Sequence, residues 1–224
     1  SLGHAPAAGI VDPASGSRLA LAEALTNIIW APLKEGLKSV ALSANWMWPC
    51  KRPGEDARLY RAVEALSQAA ISLGLPVPTG KDSLSMTMKY PEGSEVRAPG
   101  TVIVSAAGEV AGIENCVTPD LKSNAGSVML YVNFAGTDEF SLGAGSLSQV
   151  LGTPGQNVPQ VDFSIFQKAF EVLQGLIREK LILAGHDVSA GGLLTALCEM
   201  AFAGDGGVEI RMEEVPEEKL ASCL

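Results

Sequence analysis

A short segment near the carboxyl end, residues 181–192, most constrains how this chain can fold. An apolar run leads into His186 and Asp187, and a double glycine, Gly191 and Gly192, then opens an apolar helix. The pattern predicts a strand that turns sharply into a helix. Such a turn suits a phosphate, because the first backbone N–H groups of a helix are unpaired and glycine lets an oxyanion approach them. Asp187 could hold the Mg²⁺ that accompanies a phosphate, or it could simply cap the helix.

The composition is that of a globular protein. The chain has 224 residues, of which 47% are apolar, enough to bury about 70% of the unfolded surface. A formal charge of −9 argues against nucleic acid as a partner, because binding its backbone needs clustered Lys and Arg. Without an apolar run of about 18 residues or a signal peptide, the chain is predicted to be cytoplasmic and to have no membrane partner. The four cysteines are scattered, which favours reduced thiols.

Strand-like and helix-like segments alternate along the chain, which predicts an α/β (α+β) fold. A turn-rich stretch, 111–126, divides it into a predicted N-terminal lobe, 1–112, and a C-terminal lobe, 113–224. Because there is no initiator Met and the last strand has no element after it, both lobes are expected to be truncated. Helices are predicted at 13–30, 55–73, 143–151, 163–180 and 193–202, and strands at 39–45, 83–90, 101–110, 127–133, from 181 onward, and at 208–212.

The first predicted helix carries two oxygen-bearing side chains on one face. Glu23 and Asn27 lie four positions apart, so a carboxylate and an amide project from the same side. Both supply the hard oxygen ligands that Mg²⁺ takes alongside water and phosphate oxygens. Their neighbours Leu25, Ile28 and Ile29 are apolar, which favours a site over open solvent. The alternative is an ordinary polar face on a surface helix.

Gly80, Lys81, Asp82 and Ser83 form a second polar insertion, a predicted loop that leads into an alternating strand. Lys81 could neutralise a phosphate, Asp82 could orient that lysine or bind a metal ion, and Ser83 could donate to an anion. The segment is not a Walker A loop, because Asp82 separates Lys81 from Ser83 and a strand is predicted to follow. A plain polar turn is the alternative.

Six motifs occur in the order found in one enzyme family. They are EALTN (23–27), LSANWM (42–47), PGED (53–56), GKDSLSM (80–86), HDVS (186–189) and EMAFAG (199–204). The sequence resembles phosphoribosylformylglycinamidine synthase in its large single-chain form. Within that enzyme it is similar to the second of two repeats related to aminoimidazole ribonucleotide synthetase. The resemblance spans nearly the whole chain, and six ordered motifs are far more specific than any one of them.

The resemblance implies a fold, an activity and partners. Each repeat of the family has an N-terminal α/β lobe whose sheet joins a partner's sheet in a barrel-like arrangement, followed by a C-terminal α/β lobe. The enzyme is an ATP-dependent ligase that converts formylglycinamide ribonucleotide, glutamine and ATP into formylglycinamidine ribonucleotide, ADP, phosphate and glutamate. A fragment of it would contact the remaining domains of the same chain, and it could self-associate through its exposed sheet.

The resemblance also implies site residues. The second repeat of the family holds a structural nucleotide, ATP or ADP, with Mg²⁺, while turnover occurs at the related site. The metal ligands there match Glu23, Asn27 and Asp187. The residues implied to bind nucleotide and phosphate are Gly80, Lys81, Asp82, Ser83, His186, Ser189 and Gly191. The family's glutaminase cysteine and catalytic histidine have no counterpart here, so no catalytic residue is assigned and the isolated chain is expected to be inactive.

Two departures from the family bear on nucleotide binding. The family has Asp before the double glycine, where this chain has Ala190. It also has a Leu-Gly-Gly-Ser turn, where residues 142–146 of this chain read LGAGS and include Ala144. The first change removes a carboxylate, and the second adds a Cβ where a glycine would let the backbone approach a ligand. Two other interpretations therefore stay open. One is a different ATP-dependent enzyme of the same superfamily, such as a small-molecule kinase or a selenium- or hydrogenase-maturation enzyme. The other is a purely architectural module.

Overall fold

The computed structural model describes residues 1–210 apart from Ser123, Ala125, residues 137–140, Leu142, Pro154 and Gln156. The α-helices are α1 (Pro6–Val11), α2 (Pro13–Ile28), α3 (Glu55–Leu73), α4 (Ser146–Val150), α5 (Phe163–Arg178) and α6 (Gly192–Ala203). The strands are β1 (Leu2–His4), β2 (Val40–Met47), β3 (Thr79–Ser83), β4 (Thr87–Lys89), β5 (Glu95–Arg97) and β6 (Thr101–Gly108). The predicted α/β class is confirmed. Among the described helices, none is long and apolar enough to cross a membrane.

A four-stranded mixed sheet in the order β1-β6-β2-β3 organises the first half of the chain. β6 runs antiparallel to β1 and β2, and β2 runs parallel to β3. Alternate residues of β2 and β6 are buried in one core with α2 and α3, since successive strand side chains point to opposite faces. The other face is partly exposed, so the sheet is open in the described residues. The barrel-like arrangement stays a prediction, because it needs a partner sheet.

The helices against the sheet follow their local sequence. α2 begins directly after Asp12, whose carboxylate accepts the N–H of Ser15 at 2.8 Å. The predicted helix over 55–73 is confirmed, and Gly54 and Gly74 flank it with φ of +81° and +68°, a conformation that glycine adopts without strain. Sequence patterns do not indicate α1 or β1, because both are too short for a hydrophobic period to show.

The polar segment 80–83, which was predicted to be a loop, is part of a strand. Gly80 to Ser83 lie within β3, where Gly80 pairs with Ala44 and Lys81 pairs with Asn45 of β2. The predicted strand over 83–90 is broken, because β3 ends at Ser83 and β4 forms a separate hairpin with β5. Pairing with β2 gives the backbone of this polar segment its partners, which overrides its turn-like composition.

The predicted strands of the second half are not found in the described residues. Segments 127–133, 181–187 and 208–210 have no regular secondary structure, and residues 211–212 lie outside the described part of the chain. The predictions for the first two segments were therefore wrong. A strand needs a neighbour to pair its backbone groups, and an apolar run does not by itself supply one.

Helix α5 joins the two halves in one core. Its residues Phe166, Phe170, Leu173 and Ile177 are buried together with side chains of α2, α3 and the sheet. The predicted helix over 163–180 is confirmed with a slightly earlier end. The predicted division into lobes at residue 112 stays a prediction.

Gly3→Ala is expected to destabilise the fold by about 1–3 kcal/mol, because the added Cβ would lie 2.1 Å from the backbone oxygen of Ala20. Gly175→Ala is the matched control. Apart from its chain neighbours and the backbone of α5 itself, no described atom lies within 4 Å of the Cβ it adds, and alanine inside α5 is expected to stabilise by about 0.5–1 kcal/mol. Urea unfolding measures both variants. Equal stabilities would contradict the close approach of β1 to α2.

Candidate functional site

The carboxylate of Glu23 is held where α2 meets the second half of the chain. Its Oε1 accepts a hydrogen bond from the hydroxyl of Ser189 at 2.6 Å, across 166 residues of sequence. Its Oε2 accepts the backbone N–H of His4 at 2.6 Å, and His4 Nδ1 lies 3.6 Å from the same oxygen. The structure therefore brings α2, β1 and the segment before α6 together at this carboxylate.

Asn27 lies one helical turn further along the same face. Its amide nitrogen donates to the backbone oxygens of Glu23 at 3.0 Å and Leu2 at 3.2 Å. These bonds orient the amide, so its Oδ1 is the atom that could act as a metal ligand.

Asp187 is desolvated and close to other carboxylates. Its side chain is only 10% exposed, and burial raises its pKa above the ordinary value. The carboxylates of Glu23 and Glu199 raise that pKa further, while the His186 imidazole opposes the rise. The His186 Nδ1 lies 3.4 Å from Asp187 Oδ1, and its Nε2 lies 3.4 Å from Glu199 Oε2. The carboxylate of Glu23 is thus near enough to Asp187 to raise its pKa, so both side chains belong to one site.

The double glycine begins α6, as the sequence indicates. Gly191 precedes the helix and Gly192 is its first residue, with φ of +81°, which favours glycine. The turn at Ala144 lies beside this one, because the N–H of Ser146 donates to the oxygen of Ala190 at 2.9 Å. The two positions that depart from the family are therefore neighbours.

The polar segment on β3 is not brought to Glu23. Lys81 Nζ donates to Ser83 Oγ at 2.9 Å and to the Asp82 oxygen at 3.3 Å. β3 lies at the opposite edge of the sheet from β1, three strand spacings or roughly 14 Å away. The role of Gly80 to Ser83 at a nucleotide stays a prediction.

Two contacts of the site have no signal in the sequence. His4 reaches Glu23 mainly through its backbone N–H, which any residue except proline would supply. Glu199 lies on α6 and contacts His186, 13 residues earlier in the sequence. This spacing is not typical of a metal or catalytic motif. Both contacts depend on how the elements pack, so sequence spacing could not reveal them.

The donor set fits a hard divalent cation. In the described ranges, no three side chains among His, Cys, Asp and Glu stand close enough to hold a metal ion. Glu23 and Asp187 supply two carboxylates, however, and Asn27 would supply an amide oxygen. Mg²⁺ takes one or two carboxylates and completes its shell with water and phosphate oxygens, so a full protein cage is not required.

Comparison with known proteins places both halves of the chain in described families. Residues 1–109 match the FGAR-AT PurM_N-like domain, and residues 126–222 match the AIR synthase related protein, C-terminal domain. Human phosphoribosylformylglycinamidine synthase is 42% identical over 227 residues, which cover 100% of this chain and 17% of the relative. A probable phosphoribosylformylglycinamidine synthase from Caenorhabditis elegans is 40% identical over 221 residues, which cover 94% of this chain and 16% of the relative.

Two solved structures share the fold. The structure titled "T. maritima PurL complexed with FGAR" has a TM-score of 0.68 at 16% identity and covers 92% of this chain and 31% of its own. "T. maritima PurL complexed with ATP" has a TM-score of 0.56 at 16% identity and covers 91% of this chain and 28% of its own. The synthetase-like α/β fold implied by the sequence motifs is therefore confirmed, whereas its barrel-like pairing of sheets stays a prediction.

Ala144→Gly is expected to stabilise the protein by about 1 kcal/mol. Ala144 has a left-handed conformation, with φ of +65°, and this conformation costs about 1 kcal/mol of stability for any residue that has a Cβ. Ala190→Gly is the control. Its φ is not positive, so glycine there is expected to destabilise by about 0.5–1 kcal/mol. Thermal unfolding measures both changes. A loss of stability in Ala144→Gly would contradict the strained turn.

Asp187→Asn is expected to raise the free energy of unfolding at neutral pH. Burial raises the pKa of Asp187 in the folded state, so the folded state binds its proton more tightly than the unfolded state does. Stability therefore falls as pH rises from the unfolded pKa, about 3.8, through the folded pKa, and asparagine removes that loss.

Denaturant titrations of Asp187→Asn and the parent at several pH values measure this difference. The two stabilities should converge below the unfolded pKa and separate as pH approaches neutrality. A variant that is less stable than the parent at neutral pH would show that the folded state does not disfavour the charged form of Asp187.

Proposed function

Because the chain belongs to the phosphoribosylformylglycinamidine synthase family, we propose that it is one part of that ATP-dependent ligase. The chain spans 16–17% of the length of the curated relatives it matches. The complete enzyme would transfer the amide nitrogen of glutamine to formylglycinamide ribonucleotide at the expense of ATP and one water, and would yield formylglycinamidine ribonucleotide, ADP, phosphate and glutamate. Such an enzyme would work in purine biosynthesis, in the cytoplasm.

Within this enzyme, we propose that the chain holds a structural Mg-nucleotide. Glu23, Asn27 and Asp187 would hold the cation, and Ser189 and Gly191 would contact phosphate oxygens at the start of α6. The observation that carries this proposal is the hydrogen bond between Ser189 and Glu23, because it links the predicted phosphate turn to the predicted metal ligands. When bound, Mg²⁺ would neutralise phosphate charge beside the positive end of α6.

The electrostatics of the site support a cation. Asp187 is buried near the carboxylates of Glu23 and Glu199, and this environment disfavours its charged form. A divalent ion would reverse that preference, because each carboxylate then faces an opposite charge. For Glu23 to bind the ion through Oε1, the Ser189 hydroxyl would turn from the carboxylate towards a phosphate oxygen. His186, between Asp187 and Glu199, would keep both side chains oriented.

We propose that this nucleotide is not turned over. Ala190 provides no carboxylate beside the phosphates, and His186 already lies within 3.4 Å of two acidic side chains. The reacting groups would then lie in the remaining domains of the enzyme. The half-exposed face of the four-stranded sheet would pack against a related sheet, either in those domains or in a second copy of the chain.

Calorimetric titration with Mg-ADP tests the proposed site. Glu23→Gln and Asp187→Asn are each expected to weaken binding by about 10–100-fold, since each removes a charged oxygen from the cation. Glu109→Gln is the control, because Glu109 pairs with Lys34 on the surface at 2.8 Å. If Glu23→Gln and Asp187→Asn bound Mg-ADP as the parent does, these carboxylates would not form the site. If the parent bound no nucleotide, the chain would be an architectural module instead.

A further inference from the structure

Gln174 is a polar side chain of α5 with only 1% of its surface exposed. Its amide nitrogen donates to the backbone oxygens of Ile29 at 2.5 Å and Ala31 at 2.9 Å. Its amide oxygen accepts the N–H of Leu33 at 2.9 Å. Both N–H groups and the oxygen are therefore used, which offsets the cost of burying an amide. All three partners are backbone groups of one short segment.

That segment, residues 29–33, directly follows α2, and we call it the α2 tail. The last two turns of α2 carry Glu23 and Asn27, so the position of the α2 tail determines where those side chains lie. Gln174 comes from the other half of the chain, some 140 residues away in sequence. Its hydrogen bonds thus fix α2 relative to the C-terminal half.

The α2 tail also touches the segment that carries Asp187. The ring of Trp30 packs so closely on Gly185 that a Cβ there would lie 2.0 Å from Trp30 Cζ3. The Trp30 oxygen accepts the N–H of Val117 at 2.8 Å, and the Gly185 N–H donates to the oxygen of Thr118 at 3.2 Å. Trp30 and Gly185 therefore pack directly on each other, and backbone hydrogen bonds also connect them through the consecutive residues Val117 and Thr118.

We propose that Gln174 is a positioning residue for the metal site, which it serves by fixing the α2 tail so that Glu23 and Asn27 stand at a set distance from Asp187. The proposal rests on the proposed function for the identity of the ligand. An apolar side chain of similar size would fill the same space, but it would leave two buried backbone groups and one partly buried one without the partners that Gln174 provides. The α2 tail could then shift, and the two sets of ligands would lose their alignment.

The experiment compares Gln174→Met with Phe166→Leu in the complete protein. Phe166 is also buried on α5, but its ring packs on the rings of Phe134, Phe163 and Phe170. It therefore controls for a general loss of core stability. The first readout is hydrogen exchange without ligand. Gln174→Met should speed exchange in residues 23–33 and 185–189 by roughly fivefold relative to Phe166→Leu.

The second readout is the Mg²⁺ concentration that gives half-maximal protection of residues 185–192 in the presence of ADP. Gln174→Met should raise that concentration by roughly tenfold, while Phe166→Leu should leave it unchanged. Trp30→Leu keeps the hydrogen bonds of Gln174 but removes the ring from Gly185, and it should shift the same readout in the same direction. Gln174→Asn, whose shorter side chain withdraws the amide from its three partners, replaces Gln174→Met if that variant does not fold.

Selective changes in both readouts support the positioning role. Equal changes in Gln174→Met and Phe166→Leu overturn it, and so does an unchanged Mg²⁺ dependence in Gln174→Met when the parent binds. If the parent protein shows no protection by Mg-ADP while the exchange difference persists, the proposed function fails and the role of Gln174 in holding the α2 tail stands.

Discussion

The close packing of β1 against α2 is the constraint on which the site depends. Gly3 lies so near the backbone of Ala20 and Ala24 that no side chain would fit at its position. The strand and the helix therefore approach at backbone distance, and the N–H of His4 reaches the carboxylate of Glu23. Because the inner face of α2 is buried against the sheet, the helix cannot rotate without exposing that face. Its polar side chain Glu23 then contacts both β1 and Ser189 of the C-terminal half.

The two halves of the chain meet at a concentration of negative charge. Glu23 comes from α2, Asp187 from the segment after α5, and Glu199 from α6, and the carboxylates of Glu23 and Glu199 both raise the pKa of Asp187, which burial raises most. Such an arrangement is unfavourable for the isolated fold, since a buried carboxyl surrounded by like charges resists ionisation. A bound cation would compensate for this arrangement, which is how the geometry supports the proposed Mg-nucleotide site.

Sequence patterns predict what is local. The ends of α3 follow from Gly54, Gly74 and the acidic residues of its first turn, and helical spacing places Glu23 and Asn27 on one face. Sequence patterns fail where the structure of a segment depends on another segment that pairs with it or packs against it. The polar β3 is a strand because β2 pairs with it, and 127–133 is not one because no described strand does. The approach of Ser189 to Glu23 depends on how α5 docks, which no spacing along the chain encodes.

The most direct test of the central claim is a crystal structure of the protein with ADP and Mn²⁺, in which anomalous scattering locates the metal ion. We expect one manganese ion coordinated by an oxygen of each of Glu23, Asn27 and Asp187, with the ADP phosphates at the start of α6. A manganese ion elsewhere, or ADP bound while Glu23 still accepts the Ser189 hydroxyl and no ion lies between Glu23 and Asp187, would contradict it.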